Sequence, residues 1–239
     1  MHESFLGIPV DLADAQAALA AAEHAVAASE PLLVVAINPE KVMRARRDPE
    51  LREFILSAGL RIADGVGLLL ASRLRGGRLR ARVTGIDLML TLAGAAAQHG
   101  WRVYLLGARP DVVEAAALAL RERFPNIALC GFHDGYFPKE EAAERAAEIR
   151  RQGADVLFVA LGSPAQERFL RGFGEATGAK LLMGVGGSFD VLAGKVPRAP
   201  GAMRAVGLEW LYRLWREPSR IGRMAVLPVF LWQALRERR

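Results

Sequence analysis

Six short apolar runs alternate along the chain with longer stretches in which apolar residues recur every three or four positions. The short runs are continuously apolar rather than alternately apolar and polar, which is typical of strands buried on both faces of a parallel sheet. Gly, Asn or Asp follows most of these runs, so the strands are predicted to end in turns. The predicted strands cover residues 32–37, 60–63, 102–106, 127–130, 155–161 and 180–183.

The stretches between the strands have helical spacing. Asp11 is the predicted N-cap of the helix over 12–28, and Ser163 is the predicted N-cap of the helix over 164–177. Pro110 and Pro164 lie in a first helical turn, where the missing N–H of proline is harmless. Alternating strands and helices predict an α/β fold, a Rossmann-like and mostly parallel sheet with helices on both faces. The predicted helices cover residues 12–28, 40–47, 49–57, 66–74, 85–98, 110–124, 140–152 and 164–177.

The pattern changes after Gly194. Residues 195–201 are rich in Pro and Gly and predict a linker or an ordered loop. Two further helices, 202–217 and 219–238, are predicted on either side of Pro218, and both are rich in Trp, Leu and Arg. We therefore divide the chain into a Rossmann-like domain, residues 1–197, and a basic amphipathic helical appendage, residues 198–239.

Composition limits the function classes. The chain has 239 residues, 52% hydrophobic and 24% charged, which excludes disorder as the main state. No run approaches the ~20 apolar residues of a membrane-spanning helix, and the first residues lack the pattern of a secretory signal. Cys130 is the single cysteine, which excludes an intramolecular disulfide and a cysteine-based zinc site. We therefore expect a protein of the reducing cytoplasm.

The net charge of +6 is concentrated in one part of the chain. Residues 195–239 carry ten Lys and Arg against three Asp and Glu, whereas residues 1–194 are nearly neutral. Such a segment indicates an anionic partner, namely phosphate, nucleic acid or an acidic membrane surface. A solvated, solubilising tail is the alternative. Nucleic acid is not expected, because the body shows no aromatic stacking platform.

The arginines of this segment have helical spacing. Arg213, Arg216, Arg220 and Arg223 are three or four residues apart and would share one face of a continuous helix. With the apolar and Trp residues between them, they suit a membrane interface. They could also clamp a pyrophosphate. The alternative is a helical hairpin packed on the body with its arginines in water.

Polar and Gly-rich segments follow the predicted strands. In a parallel sheet with right-handed crossovers, all strands end at one edge, and ligands bind outside that edge. We therefore expect these segments to converge on one site. They are Asn38, Asp64 with Gly65, Gly107, Gly162 with Ser163, and residues 184–188.

The individual candidates each have a structural alternative. The turn 184–190, with sequence GVGGSFD, would let a diphosphate approach its backbone, but it lacks the GxGxxG spacing of dinucleotide-binding loops and is otherwise a tight turn. Asp64 would be a general base or a turn aspartate. Gln166 could bind sugar hydroxyls. Thr84 is a plausible helix N-cap, with Asp87 in the first turn of that helix.

Several motifs are missing from the sequence. It contains no D-x-D motif, no G-x-S-x-G and no GxxxxGK[ST], and its four histidines do not have the spacing of a metal site. A diphosphate leaving group would then need positive charge from elsewhere, and the basic segment is the obvious source.

The sequence resembles the WecG/TagA/CpsF glycosyltransferase family from about residue 5 to residue 224. Members transfer a sugar from a UDP-sugar to an acceptor linked to polyprenyl diphosphate, on the cytoplasmic face of the membrane. The segments that carry the resemblance are Asn38-Pro39-Glu40, Ala63-Asp64-Gly65, residues 82–88, 104–107, 135–137, 162–167 and 184–190, Ala193-Gly194 and Arg198-Ala199-Pro200.

The resemblance implies roles for matching positions. Asp64 would be the catalytic base, and Asn38, Arg82 and Gln166 would line the sugar and acceptor pocket. The remaining positions form two groups. The resemblance assigns the nucleotide side to Tyr136, Gly184, Gly186, Gly187, Ser188 and Asp190, and the diphosphate to Arg213, Arg220 and Arg223. We add Thr84, Gly162 and Ser163 as substrate-binding candidates. Ala36 is a departure, because members often have Thr there.

We therefore expect a metal-independent, inverting glycosyltransferase that requires no cofactor and uses a UDP-sugar as donor. The sugar would be N-acetylmannosamine, its uronic acid or glucose, and the product a teichoic acid or another surface polysaccharide. The protein would lie in the cytoplasm on the inner face of the cell membrane. It could also form homo-oligomers. The alternatives are a nicotinamide-dependent oxidoreductase and a non-enzymatic membrane-associated binding protein.

Overall fold

The computed structural model describes residues 1–201, 203, 211–212 and 226–237. Within these residues the chain forms a two-stranded hairpin and a six-stranded sheet. The strands are β1 His2–Phe5, β2 Ile8–Asp11, β3 Leu32–Ile37, β4 Leu60–Ala63, β5 Arg102–Gly107, β6 Ala128–His133, β7 Val156–Ala160 and β8 Leu181–Gly184. The helices are α1 Ala15–Ala28, α2 Pro39–Ala45, α3 Pro49–Ser57, α4 Val66–Leu74, α5 Gly85–His99, α6 Pro110–Arg123, α7 Ala142–Arg151, α8 Ala165–Phe173, α9 Ser188–Leu192 and α10 Val226–Arg236.

The six-stranded sheet has the order β4-β3-β8-β7-β5-β6, and every neighbouring pair is parallel. All six apolar runs of the sequence are strands of this sheet, so the predicted α/β, Rossmann-like fold is confirmed. Its inner strands are covered on both faces, which explains why their sequences are continuously apolar, whereas the edge strand β6 is partly exposed.

Helices cover both faces of the sheet. Along β3, Val35 and Ile37 belong to one apolar cluster and Val34 to the other, as expected when alternate side chains point to opposite faces. The first cluster includes α2, α3, α4, α7, α8 and α10, and the second includes α1, α5, α6 and α9. The helices that follow the adjacent strands β3 and β8 therefore leave on opposite faces. This arrangement opens a crevice at the ends of those strands.

The hairpin β1–β2 is an element that the sequence analysis missed. Its turn is Leu6-Gly7, and both residues have positive φ, which is the geometry of a tight hairpin turn. Leu6 is an unusual residue for such a turn, so the sequence carries no turn signal there. Phe5 and Ile8 are fully buried in the first apolar cluster.

Asp11 does not cap the first helix, contrary to the prediction. It lies at the end of β2, where its Oδ2 accepts hydrogen bonds from the backbone N and the Nε of Arg61, at 2.8 and 3.1 Å. The cap of α1 is Asp14, whose carboxylate accepts from Ala17 N at 2.8 Å. Asp11 therefore belongs to the hairpin, and Asp14 caps the helix.

The helix predicted over 164–177 is also shorter than expected. It begins at Ala165 and ends at Phe173, and a 3₁₀ turn follows at Glu175–Thr177. Ser163 does not cap it, because Pro164 occupies the N-cap position and no side chain accepts from the first turn. The prediction for Pro110 is confirmed, since it is the first residue of α6.

The C-terminal helix α10 packs on the body. Phe230 and Ala234 are fully buried in the first apolar cluster, and the ring of Phe230 lies 6.2 Å from that of Phe5. Glu237 accepts a hydrogen bond from Leu6 N at 2.9 Å. The division at residue 197 stays a prediction, and the helix predicted over 202–217 and the first part of that over 219–238 lie largely outside the described residues.

Close packing of α10 depends on a glycine in α4. A Cβ added to Gly67 would come within 2.5 Å of Leu227 Cδ1 and 2.6 Å of Pro39 Cγ. The start of α10 therefore rests directly on the first turns of α2 and α4. None of the helices in the described part of the chain combines the length and apolarity needed to cross a membrane.

We predict that Gly67→Ala lowers the free energy of unfolding by about 1–3 kcal/mol, because the added methyl overpacks this contact. Gly172→Ala is the matched control. Gly172 is also helical, and its added Cβ would meet no atom within 4 Å, so this variant should be neutral or more stable by about 0.4–1 kcal/mol. Urea unfolding of both variants measures the difference, and equal stability of the two would contradict the packing argument.

Candidate active site

The polar segments that follow the strands meet at one edge of the sheet, as expected. Ile37 pairs with Ala63, so Asn38 and Asp64 leave adjacent strands at the same level. Further along the edge, Val159 of β7 pairs with Gly184. The parallel register therefore places the ends of β4, β3, β8 and β7 side by side.

Asp64 is held against the start of α5. Its backbone N donates to Ile37 O at 2.7 Å, and its Oδ2 accepts from Gly85 N at 3.3 Å. A Cβ on Gly85 would lie 3.7 Å from that oxygen and 3.8 Å from Ala36 Cβ. The carboxylate is half-buried and lies at the N-terminus of a fifteen-residue helix. A carboxylate held in one orientation is what a general base requires.

The segment 82–87 forms one wall beside Asp64. Thr84 is the N-cap of α5, as predicted: its Oγ1 accepts from Asp87 N at 3.2 Å and donates to Asp87 Oδ2 at 2.6 Å. The other carboxylate oxygen of Asp87 is paired with Nη2 of Arg198. Arg82 lies half-buried two residues before the cap. Thr84 and Asp87 therefore have structural roles at this site, whatever they do with a ligand.

Asn38 is the N-cap of α2. Its Oδ1 accepts from Lys41 N at 2.8 Å, so this oxygen is engaged in capping. Asn38 Cβ is 3.9 Å from where a Cβ of Gly65 would stand, and the turn after Asp64 therefore packs on the start of α2. The ends of β3 and β4 thus form one continuous surface.

Gln166 and the turn 184–188 are in direct contact. Gln166 is buried at the start of α8, and its Oε1 accepts from Gly186 N at 3.1 Å. Its Nε2 lies 2.9 Å from where a Cβ of Gly184 would be, so only glycine leaves room for the amide there. Gly186 has a φ of +53°, which also favours glycine. The structure therefore brings together the two motifs that the sequence predicts to share a site.

The rest of this turn is held by its own backbone. Ser188 donates from its hydroxyl to Val185 O at 2.7 Å and begins the five-residue helix α9. The carboxylate of Asp190 lies beside Gly187, at 3.8 Å from the position of an added Cβ. These contacts define the shape of the turn.

The sequence analysis missed a charged pair below this turn. Lys41 Nζ lies 3.0 Å from Glu167 Oε1, and both side chains are largely buried. Glu167 belongs to a motif that the sequence analysis identified, but Lys41 does not. No local pattern could reveal the pair, because α2 and α8 meet only in the folded protein.

Other predicted residues lie farther along the edge or outside the described part of the chain. Tyr136 is 74% exposed in the loop after β6, the outermost strand on the other side of the sheet from β4, which Asp64 follows. Six strands spaced ~4.8 Å apart put about 24 Å between these two outermost strands. Ser163 accepts from Arg44 Nη1 at 3.4 Å, next to Gly162. Arg213, Arg220 and Arg223 lie outside the described residues.

Two ion pairs hold the segment that leads to the appendage. Arg198 pairs with Asp87 on α5, and Lys195 Nζ lies 3.1 Å from Asp111 Oδ2 on α6. The hydrogen bond from Lys195 lowers the pKa of Asp111. The Arg198–Asp87 pair is the more effective of the two, because Arg198 is only 22% exposed, whereas the Lys195–Asp111 pair is exposed on both sides.

The described residues contain no group of three or more His, Cys, Asp and Glu side chains placed to hold a metal ion. The buried groups with shifted pKa values lie within the sheet. Burial, with the adjacent Glu148 carboxylate, raises the pKa of Tyr104, and burial raises that of the Cys130 thiol. Neither group lies at the strand ends that carry the candidate site.

Comparison with known proteins agrees with this geometry. The model of the glycosyl transferase WecG/TagA/CpsF family matches residues 3–239. The chain belongs to this family. Among curated members, a protein of Bacillus subtilis (strain 168) is 35% identical over 205 residues, which cover 86% of this chain and 79% of that protein. It is named N-acetylglucosaminyldiphosphoundecaprenol N-acetyl-beta-D-mannosaminyltransferase.

Membership identifies the chain as a glycosyltransferase and confirms the predicted family. It disfavours the oxidoreductase, which shares only the general form of the sheet. In this chain, the segments that follow the strand ends contain the motifs on which the resemblance to the family rests. The roles of individual residues stay predictions.

We predict that Arg198→Met speeds hydrogen exchange of the amides of Lys195 and Val196. Both amides donate to Asp190 O, at 2.9 and 3.1 Å, in the segment that the Arg198–Asp87 pair holds down. Arg109→Met is the control, because the pair of Arg109 with Asp111 is exposed on both sides and such pairs contribute little to stability. Hydrogen exchange followed by mass spectrometry measures the rates. Equal exchange rates at these amides in the two variants would contradict the role of the Arg198–Asp87 pair.

Proposed function

We propose that this glycosyltransferase moves N-acetylmannosamine from a UDP-sugar to N-acetylglucosamine on a polyprenyl diphosphate. The observation that carries the proposal is the likeness to the B. subtilis enzyme, whose name gives this sugar and this acceptor. The family match over residues 3–239 agrees with it.

In the proposed reaction Asp64 removes the proton of the acceptor hydroxyl, which attacks the anomeric carbon as the bond to UDP breaks. The proposal is supported by the position of Asp64 at a strand end, half-buried, with Gly85 N–H orienting its carboxylate. Attack from the face opposite to the leaving group inverts the anomeric centre. The proton leaves on Asp64 and the electron pair leaves on the UDP diphosphate.

The departing diphosphate needs positive charge, and we assign it to Arg213, Arg220 and Arg223. Their assignment rests on the resemblance and on chain length. Leu227 is anchored at Gly67 and Pro39, next to Asp64 and Asn38. Arg223 precedes Leu227 by four residues in the sequence, which span at most ~14 Å. Fixed cations that face developing charge are among the largest contributions to catalysis. We propose that the reaction needs no metal, which assays in EDTA test.

The sugar would lie near Asp64, Asn38, Arg82 and Gln166, and the nucleotide would extend along the strand ends toward Tyr136. The supporting observation is the shared edge, along which Gly184, Gly162 and Tyr136 follow in order of distance from Asp64. This assignment keeps the reacting centre at the crevice between β3 and β8.

We further propose that the protein works as a peripheral protein on the inner face of the cell membrane, at an anionic surface. Helix α10 exposes Val229, Trp232 and Leu235, spaced three residues apart, on the side away from buried Phe230. The guanidinium of Arg236 lies 4.1 Å from the ring centroid of Trp232. A stripe of apolar residues with Trp and Arg suits the interface of an anionic bilayer.

We predict that Asp64→Asn lowers turnover by about 10²–10⁴-fold, the usual loss when a positioned general base is removed. The affinity for UDP should stay near that of the wild type, because the base acts on the acceptor. Release of UDP from UDP-N-acetylmannosamine, with a short polyprenyl-diphosphate-N-acetylglucosamine analogue as acceptor, measures the rate. Full activity of the variant would disprove the assignment of Asp64 as the base. If the wild-type protein is active only with another UDP-sugar, the proposed donor is wrong.

We predict that Trp232→Ser weakens binding to vesicles that contain anionic lipid, because it removes the central residue of the exposed stripe. Leu118→Ser is the control, since Leu118 is equally exposed but lies on α6, on the opposite face of the sheet. Flotation with anionic and neutral vesicles measures binding. If Trp232→Ser instead dissociates a dimer and leaves vesicle binding unchanged, the stripe is a surface between copies of the chain.

A further inference from the structure

The pair of Lys41 and Glu167 is an unusual feature of the core below the strand ends. Lys41 Nζ is 3.0 Å from Glu167 Oε1, and the two side chains are only 13% and 4% exposed. The surrounding residues are mostly apolar, namely Val34, Val35, Phe54 and Leu170. Among the described residues, the second carboxylate oxygen of Glu167 is buried without a hydrogen-bond partner.

Stability does not account for this pair. Removing two charges from water is costly, and apolar residues of similar volume often serve equally well or better in such places. The unsatisfied oxygen adds to the cost. A pair that costs stability and lies directly below a candidate site is expected to have a role at that site.

The pair connects three strand ends through hydrogen bonds. Lys41 belongs to the first turn of α2, which Asn38 caps at the end of β3. Glu167 Oε1 accepts from Gln166 Nε2 at 3.2 Å, at the start of α8 after β7. Gln166 Oε1 accepts from Gly186 N at 3.1 Å, after β8. The contacts thus run without a break from the cap of α2 to the turn 184–188.

The charge on Glu167 determines how the amide of Gln166 is turned. A carboxylate only accepts hydrogen bonds, so the NH₂ group of Gln166 must face Glu167 and its oxygen must face Gly186. Lys41, in turn, holds the carboxylate in place, with Nζ 3.0 Å from Oε1. The absence of a side chain at Gly184 leaves room for this orientation.

We propose that Lys41 and Glu167 are positioning residues of the glycosyl transfer. They hold the carboxamide of Gln166 in one orientation, and with it the turn 184–188, in the geometry that receives the UDP-sugar. Neither residue touches the substrate. The inference rests on the proposed function for its kinetic part, whereas the orientation of Gln166 concerns the free protein.

The test is the double variant Lys41→Met/Glu167→Leu, which removes both charges and leaves neither alone. We expect its melting temperature to stay equal or to rise, while kcat falls by about 10- to 100-fold, as for a small misplacement of binding groups. The dissociation constant of UDP should rise by less than kcat falls, because Tyr136 and Asp190 on the nucleotide side are unchanged. Lys41→Arg, which keeps the charge, should retain most of the activity.

A second readout needs no substrate. In the free protein, we expect the side-chain amide of Gln166 and the backbone amide of Gly186 to exchange hydrogen faster in the double variant, as measured by NMR. If the double variant does not fold, Glu167→Gln serves instead, because it keeps the shape but can donate as well as accept, and it should show the same faster exchange.

The pair of Asp11 and Arg61 provides the control, since it is also largely buried, with an Nε–Oδ2 distance of 3.1 Å, but lies at the other end of β4 from Asp64. Asp11→Asn/Arg61→Met should lower the melting temperature and leave kcat unchanged. Unchanged exchange at Gln166 and Gly186, or full kcat in the Lys41→Met/Glu167→Leu variant, would overturn the proposal. If the wild type transfers no sugar, the proposed function fails, and the exchange measurement alone decides the inference.

Discussion

The parallel register of the strands is the constraint on which the site depends. Ile37 is level with Ala63, and Gly184 with Val159, so Asn38, Asp64 and the turn after β8 begin at the same height. A shift of one residue in any strand would reverse which face its side chains cover. Because both faces are buried under helices, the register is strongly fixed. The packed core therefore fixes the positions at which Asn38, Asp64 and the turn after β8 leave the sheet.

Local patterns were sufficient to predict the sheet and one of the three predicted helix caps. All six runs of continuous apolar residues are strands of the sheet, and Thr84 caps a helix that begins one residue later. Such features depend on neighbours within a few positions. That Asp64, Asn38 and Gln166 follow strands that end at the same edge of the sheet then followed from topology, because strands joined by right-handed crossovers end together.

The features that the sequence could not reveal depend on contacts between distant segments. The hairpin β1–β2 turns at Leu6, a residue that rarely has positive φ, and its strands are stabilised by partners such as Arg61 and Glu237. The same holds for the pair of Lys41 and Glu167, since each residue has an ordinary place on its own helix. Likewise, Ser163 had the residue type of a cap, but the chain brings Pro164 to that position instead.

The contact of α10 with the hairpin joins the two extremes of the described chain. Phe5 is covered by Phe230, and Leu6 N–H binds Glu237. During synthesis, the face of Phe5 that Phe230 covers therefore stays open until more than two hundred further residues have followed. Contacts of such long separation form slowly. A nascent chain thus carries Phe5 without the cover of Phe230 until α10 has been made.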